Sequence, residues 1–127
     1  MWLWLSISGF SRPIERRRCE TFSSRLAELE AADTQVLGVS MDNPFANRVF
    51  ADQNGVTFPL LSDIGGRVIR EYGIYKEYDQ FHTKIPAARR ATYLIDTNGK
   101  VVAMQVDIDA VDPTKTVRAC ERRKLKN

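Results

Sequence analysis

An α/β architecture, with a mixed sheet and helices on both of its faces, is what this sequence predicts. Three observations carry that expectation. Short apolar stretches suited to strands alternate with segments of helical spacing over residues 2–72. A β-hairpin signal follows around Asn98-Gly99. The chain then closes on a segment with helix-start residues at Asp112 and Pro113.

Residues 2–8 (WLWLSIS) read as a central strand, apolar on both faces as a covered sheet requires. Ser11 and Pro13 announce a turn and helix start, and residues 14–31 follow with helical spacing. Cys19, Phe22, Leu26 and Leu29 form one apolar stripe on that helix. "TQVLGVSMD" (34–42) reads as a second buried strand. Residues 43–55 form a helix with Asn43 as cap and Pro44 at its first position, ending at Asn54-Gly55. "VTFPLLSD" (56–63) is extended, and a short helix spans 65–72. Residues 74–90 carry few periodic signals and are expected to be mostly loop. "ATYLID" (91–96) and "VVAMQVDI" (101–108) make the hairpin, whose turn carries a residue pair that tolerates positive φ. A last helix runs over 113–124, capped by Asp112. There are no repeats or linkers, so 1–127 is expected to be a single domain. This order is that of a thioredoxin-like three-layer sandwich, a fold that does not by itself specify a function.

Composition narrows the class. Of the 127 residues, 43% are apolar and 28% charged, the balance of an ordinary soluble globular protein. The net charge of +3 does not require a nucleic-acid partner. Basic residues cluster at Arg12, Arg16, Arg17 and Arg18 and again over 118–126, which reads as solvated helix faces. No aromatic interleaving or nucleic-acid motif accompanies them. Cys19 and Cys120 are too far apart in sequence for a compact metal motif, and His82 is the only histidine, so no metal and no cofactor are expected. Two cysteines point to a reducing compartment, and no stretch reaches transmembrane length. A cytoplasmic location without membrane contact is therefore expected.

The segments "TFSSRLAELEAADTQVLGVSMDNPFANRVFADQNGVTFPLLSD", "VIREYGIY" and "RRATYLIDTNGKVV" resemble the peroxiredoxins, in particular the bacterioferritin-comigratory and alkyl-hydroperoxide-reductase subgroups. "FPLLSD" (58–63) and the Arg-Ala-x-x-x-Ile-Asp pattern (90–96) are the most specific parts, and the likeness covers about 2–124. The resemblance implies a thiol peroxidase that needs no cofactor, with a hydroperoxide substrate and a thiol reductant such as a thioredoxin-like donor. It also implies that the chain is shortened at its N-terminus, since family members begin with an additional hairpin and strand. In that family a cysteine thiolate at a helix N-terminus attacks the peroxide O–O bond and becomes a sulfenic acid. Helix amides and an arginine lower the thiol pKa, and a threonine and the arginine stabilise the charge moved onto the departing oxygen.

Carrying the motif over without gaps places Glu15 at the position of the attacking cysteine, Arg12 at the threonine and Ser8 at the proline. The common resolving position falls on Glu20. Arg90 alone keeps the family residue type, with Arg89 as its rival. Cys19 has two readings. It is the attacking thiolate, aided by the neighbouring arginines, or it is a core residue in the apolar stripe, set roughly 6 Å deeper along the helix than Glu15. Glu15 likewise is either an exposed helix-start carboxylate or an anion paired with Arg90 where a thiolate would be. Cys120 reads as a packing residue and His82 as a surface residue.

Two functions from different classes follow. One is a thiol peroxidase of impaired activity, with Cys19 as nucleophile and Arg90 as its electrostatic partner. The other is an inactive peroxiredoxin-like domain acting as a binding or subunit-interaction module. An open sheet edge would invite a homodimer.

Overall fold

In the computed structural model, which describes residues 1–7, 12–80, 82–110, 112 and 114–126, the chain builds a five-stranded mixed sheet. Strands β1 (Trp2–Ile7), β2 (Gln35–Ser40) and β3 (Leu60–Ser62) run parallel. Strands β6 (Ala91–Ile95) and β7 (Val101–Val106) join on the other side of β1, each antiparallel to its neighbour, giving the order β3-β2-β1-β6-β7. Helices α1 (Arg12–Ser24), α2 (Leu26–Ala31), α3 (Pro44–Asn54), α4 (Arg67–Glu71) and α5 (Thr114–Lys126) complete the thioredoxin-like order expected from sequence. Residue 8, the last of the expected first strand, lies outside the described residues.

Because successive strand residues point to opposite faces, β1 feeds two cores at once. Leu3, Leu5 and Ile7 join Val36 and Leu94 on one face, where Cys19 and Phe22 of α1, Leu29 of α2, and Val117 and Cys120 of α5 cover them. Trp4 points the other way and packs with Val39, Tyr93, Ile69 of α4 and Ile74. Its indole stacks on Tyr72 at 4.5 Å and meets Tyr93 edge-on at 5.3 Å. The double coverage explains why residues 2–7 are almost continuously apolar.

Local chemistry accounts for the helix ends. Asn43 caps α3 by accepting the Ala46 amide, and Gly55 closes it in the left-handed conformation at φ +63°. Asp112 Oδ1 accepts both the amide and the hydroxyl of Thr114 at the start of α5. The expected single helix over 14–31 is two helices, broken at Arg25, whose backbone sits at φ −106°, ψ 11°. Just before the break, Thr21 Oγ1 donates to the Arg17 carbonyl and Ser24 Oγ to the Thr21 carbonyl, side-chain bonds that compete with the helix ladder. In the hairpin turn, Gly99 alone of the Asn98-Gly99 pair takes positive φ. Asp96 Oδ1 organises the loop by accepting the Asn98 and Lys100 amides.

The expected loop over 74–90 is instead a second hairpin. Strands β4 (Tyr75–Gln80) and β5 (Thr83–Ala88) pair antiparallel as a separate two-stranded sheet, with His82 exposed in the turn at φ +59°. Among the described residues the ribbon buries only Ala87 and Ala88 fully, so no alternation of large apolar residues marks it. It also contains Pro86, which a two-stranded ribbon tolerates because each strand has a free edge.

Gly38 in β2 is closely packed: a Cβ there would press on the side-chain ends Leu60 Cδ2 and Ile7 Cδ1, which must shift to admit it. Gly38→Ala is expected to cost about 1–3 kcal/mol through overpacking, read as a lower urea midpoint with unchanged slope. An unchanged midpoint would contradict the packing described.

Candidate functional site

The N-terminal turn of α1 meets the sheet where the β1–β6 ladder ends, at the pair Ser6 and Ala91. Edge groups left over at that end are taken up by side chains. Ser6 Oγ donates to the Arg89 carbonyl at 2.5 Å and accepts the Ala91 amide at 2.8 Å. Arg18 of α1 supplies the rest. Its Nη1 donates to the Ser6 carbonyl at 3.0 Å, and its Nη2 donates to the Ala91 carbonyl at 3.1 Å and to Thr92 Oγ1 at 3.0 Å.

Glu15 sits one turn before Arg18 and is buried. Its Oε2 accepts from Arg18 Nη1 at 2.8 Å and its Oε1 from Arg90 Nε at 2.6 Å. One carboxylate is thus held by two guanidiniums, and the first helical turn adds its own preference for an anion. Arg18 is wholly buried, whereas the Arg90 side chain keeps 13% of its surface exposed. Burial pushes the Arg18 guanidinium down and the adjacent Glu15 carboxylate pulls it back up. Of the five N–H donors of Arg18, the four on its terminal nitrogens are engaged, and Nε has no partner among the described residues.

Arg90, not Arg89, reaches this site: Arg89 turns outward to Asp107. Of the remaining positions singled out from sequence, Ser8 lies outside the described residues, as does the side chain of Arg12. Glu20 is exposed beside Arg16. Cys19 has no solvent exposure. It packs among Leu3, Leu5, Phe22 and Leu29, and its thiol is pushed up to about 12, first by burial and then by Glu15. Cys120 is equally buried and is pushed up to about 11, mainly by burial. Since the thiolate is the nucleophile, neither sulfur is activated in this conformation.

The residue that sequence reasoning missed is Arg18, read there as part of a solvated basic run. A signal was available. Glu15, Arg18, Cys19 and Phe22 follow the i, i+3, i+4, i+7 spacing of one helix face, so both charged residues continue the buried stripe.

Two outcomes test this geometry. Glu15→Gln removes the charge shared by the buried Arg18 and the part-exposed Arg90 and is expected to lower stability by about 3 kcal/mol in urea unfolding, because breaking the buried Glu15–Arg18 pair leaves charge uncompensated. An unchanged midpoint would reject the clamp. Both thiols are expected to resist an aromatic disulfide reagent in the native chain and to react fully once it is unfolded. The thiols' raised pKa values also link stability to pH. Their contribution is whole below their unfolded value of about 9, and is lost as pH rises toward about 11 for Cys120 and about 12 for Cys19, readable as alkaline loss of native ellipticity.

Comparison with known proteins agrees with this architecture. The AhpC/TSA family model matches residues 10–104. A Mycobacterium tuberculosis protein carrying the peroxiredoxin name is 31% identical over 103 residues, covering 81% of this chain and 65% of the relative. Peroxiredoxin Bcp of Xanthomonas campestris is 31% identical over 81 residues, covering 64% of this chain and 51% of that protein. The chain therefore spans about half to two-thirds of the length of these relatives. Among solved structures, a Xanthomonas campestris bacterioferritin comigratory protein superposes with a TM-score of 0.84 at 23% identity, covering 97% of this chain and 79% of that one. The Mycobacterium tuberculosis BcpB structure gives 0.81 at 22% identity, covering 96% and 78%. The thioredoxin-like peroxiredoxin fold is thereby shared, and with three-quarters of its length matched by the family model, this chain belongs to the AhpC/TSA family of peroxiredoxins.

Proposed function

We propose that this chain is a thiol-peroxidase-type protein of its family, a single thioredoxin-like domain over 1–127 that reduces hydroperoxides slowly in the cytoplasm with electrons from a thioredoxin-like thiol donor. The observation that carries this reading is Arg90, part-exposed at the head of β6 and bound to an anion in the first turn of α1. A guanidinium there can stabilise the charge that accumulates on a departing peroxide oxygen. Cys19 is the sulfur of α1. Its thiolate would attack one peroxide oxygen, forming S–O as O–O breaks. The products are a sulfenic acid and, after protonation, water or an alcohol. One thiol of a dithiol donor then condenses with the sulfenic acid, releasing water and forming a mixed disulfide. The donor's second thiol frees the Cys19 thiol as the donor closes its own disulfide. The raised thiol pKa and the apolar packing limit this step to the rare openings that wet Cys19. No helix among the described residues is long and apolar enough to cross a membrane.

One observation favours a second reading, a non-catalytic binding or subunit-interaction module. Glu15 occupies the place between Arg18 and Arg90 with its carboxylate, and both sulfurs lie in the core. Among the described residues no strand pairs with the outer edges of β3 and β7, which suits a homodimer.

Hydrogen peroxide consumption in the presence of dithiothreitol, with dimedone trapping and mass spectrometry, separates the two. The peroxidase reading expects slow turnover, sulfenic acid on Cys19, and loss of both in Cys19→Ser. Absence of turnover and label leaves the module reading. A dimer in light scattering would then support it, and a strict monomer would weigh against it.

A further inference from the structure

We propose that Met41 is an oxidation site of this chain, a thioether in the wall of a cavity where a hydroperoxide transfers one oxygen to it. Three observations carry this. A cavity of about 220 Å³ lies where β1 and β2 end against β5, walled by Ile7, Met41, Asp42 and residues 85–88. Met41 is half-buried: it packs on the second core, and its thioether end lies against Gly66. A Cβ added at Gly66 would fall 2.9 Å from Met41 Cε and 3.1 Å from its Sδ, so the glycine leaves the room this sulfur uses. Asp42 is exposed and is the one charged residue of that wall among the described residues, an acceptor for a peroxide O–H beside the thioether.

The chemistry suits a thioether better than the two thiols. Cys19 and Cys120 must lose a proton to react, and burial opposes that. The sulfur of Met41 has no proton to lose and keeps its lone pairs at any pH. One pair attacks the nearer peroxide oxygen, and S–O forms as O–O breaks. Sulfur loses two electrons and the peroxide gains them. The departing oxygen takes up the peroxide's own proton and leaves as water or an alcohol, and the side chain becomes a sulfoxide that methionine sulfoxide reductase returns to thioether. A sulfoxide is polar, and here it is formed against the second core and Gly66, which precedes α4, so oxidation loosens the seat of that helix. Cys19 and Arg90 take no part, so the step stands apart from the turnover proposed above.

The experiment exposes the native chain and a Cys19→Ser, Cys120→Ser chain to hydrogen peroxide at neutral pH and follows each methionine by peptide mass spectrometry. Met104, 62% exposed on β7, is the internal reference. Met41 is expected to gain one oxygen at least as fast as Met104 in both folded chains, whereas burial without cavity access would make it the slower of the two. Ile85→Phe, which fills the cavity from a part-exposed position of β5, is expected to slow Met41 about tenfold and leave Met104 unchanged. In a Met104→Leu chain, oxidation is expected to lower the melting temperature by about 4 °C or more, and the reductase with dithiothreitol to restore it. The two readings fail separately, one by dimedone label on Cys19 and the other by oxygen on Met41. Met41 oxidising more slowly than Met104 in the folded native chain, its loss of oxidation with the two cysteines replaced, or an unchanged Met41 rate in Ile85→Phe would each overturn the proposal.

Discussion

A carboxylate gripped by two arginines at the mouth of a helix organises this molecule. Glu15 is buried, and a lone buried carboxylate would be costly to desolvate. It is tolerated because Arg18 and Arg90 each donate to one of its oxygens and the helix dipole favours negative charge at that turn. The burial of Arg18 is tolerated in turn because its terminal donors serve a carboxylate, two sheet carbonyls and a threonine hydroxyl. Neither charge would be stable there alone. The cluster ties α1 to the end of the β1–β6 ladder and aims Arg90 at one point.

The same helix decides the state of the sulfur. Cys19 follows Glu15 by four residues, so it faces the same way one turn deeper, where the sheet supplies Leu3 and Leu5 instead of amide donors. Burial and the neighbouring carboxylate both disfavour a thiolate, and Arg18, committed to Glu15, offsets only part of that. The positive pole of α1 therefore serves an oxygen anion instead of a sulfur anion. In the family chemistry the stabilised anion is also the nucleophile. Here the anion at that turn is a carboxylate, which a peroxide does not oxidise, and the sulfur of the helix lies in the core.

Much of the fold could be read from the sequence because its signals are local. The unbroken apolar run of β1, the Asn43-Pro44 start of α3 and the Asn98-Gly99 turn each reflect short-range chemistry. The hairpin of β4 and β5 was not readable. It buries two alanines and contains a proline, so neither its pattern nor its turn residues announce a strand pair. Its pairing belongs to the packing of the second core, where Ala88 meets Trp4 and Tyr93. At the site, the Glu15–Arg90 pairing could be anticipated from the register of the resemblance. The partners of Arg18 could not, because its place on the Cys19–Phe22 helix face marks it as inward-facing without recording which sheet groups it meets.

The sequence by itself determined the alternation of strands and helices, the family, and a carboxylate at the head of α1 with the sulfur four residues further on. These depend on residue identity and on spacing along one element. Only the tertiary structure decided which arginines meet that carboxylate and whether Cys19 sees water. Both are matters of what the far side of the sheet brings to the helix: Arg90 lies 75 residues from Glu15, and charge burial depends on a surrounding shell that no local pattern records.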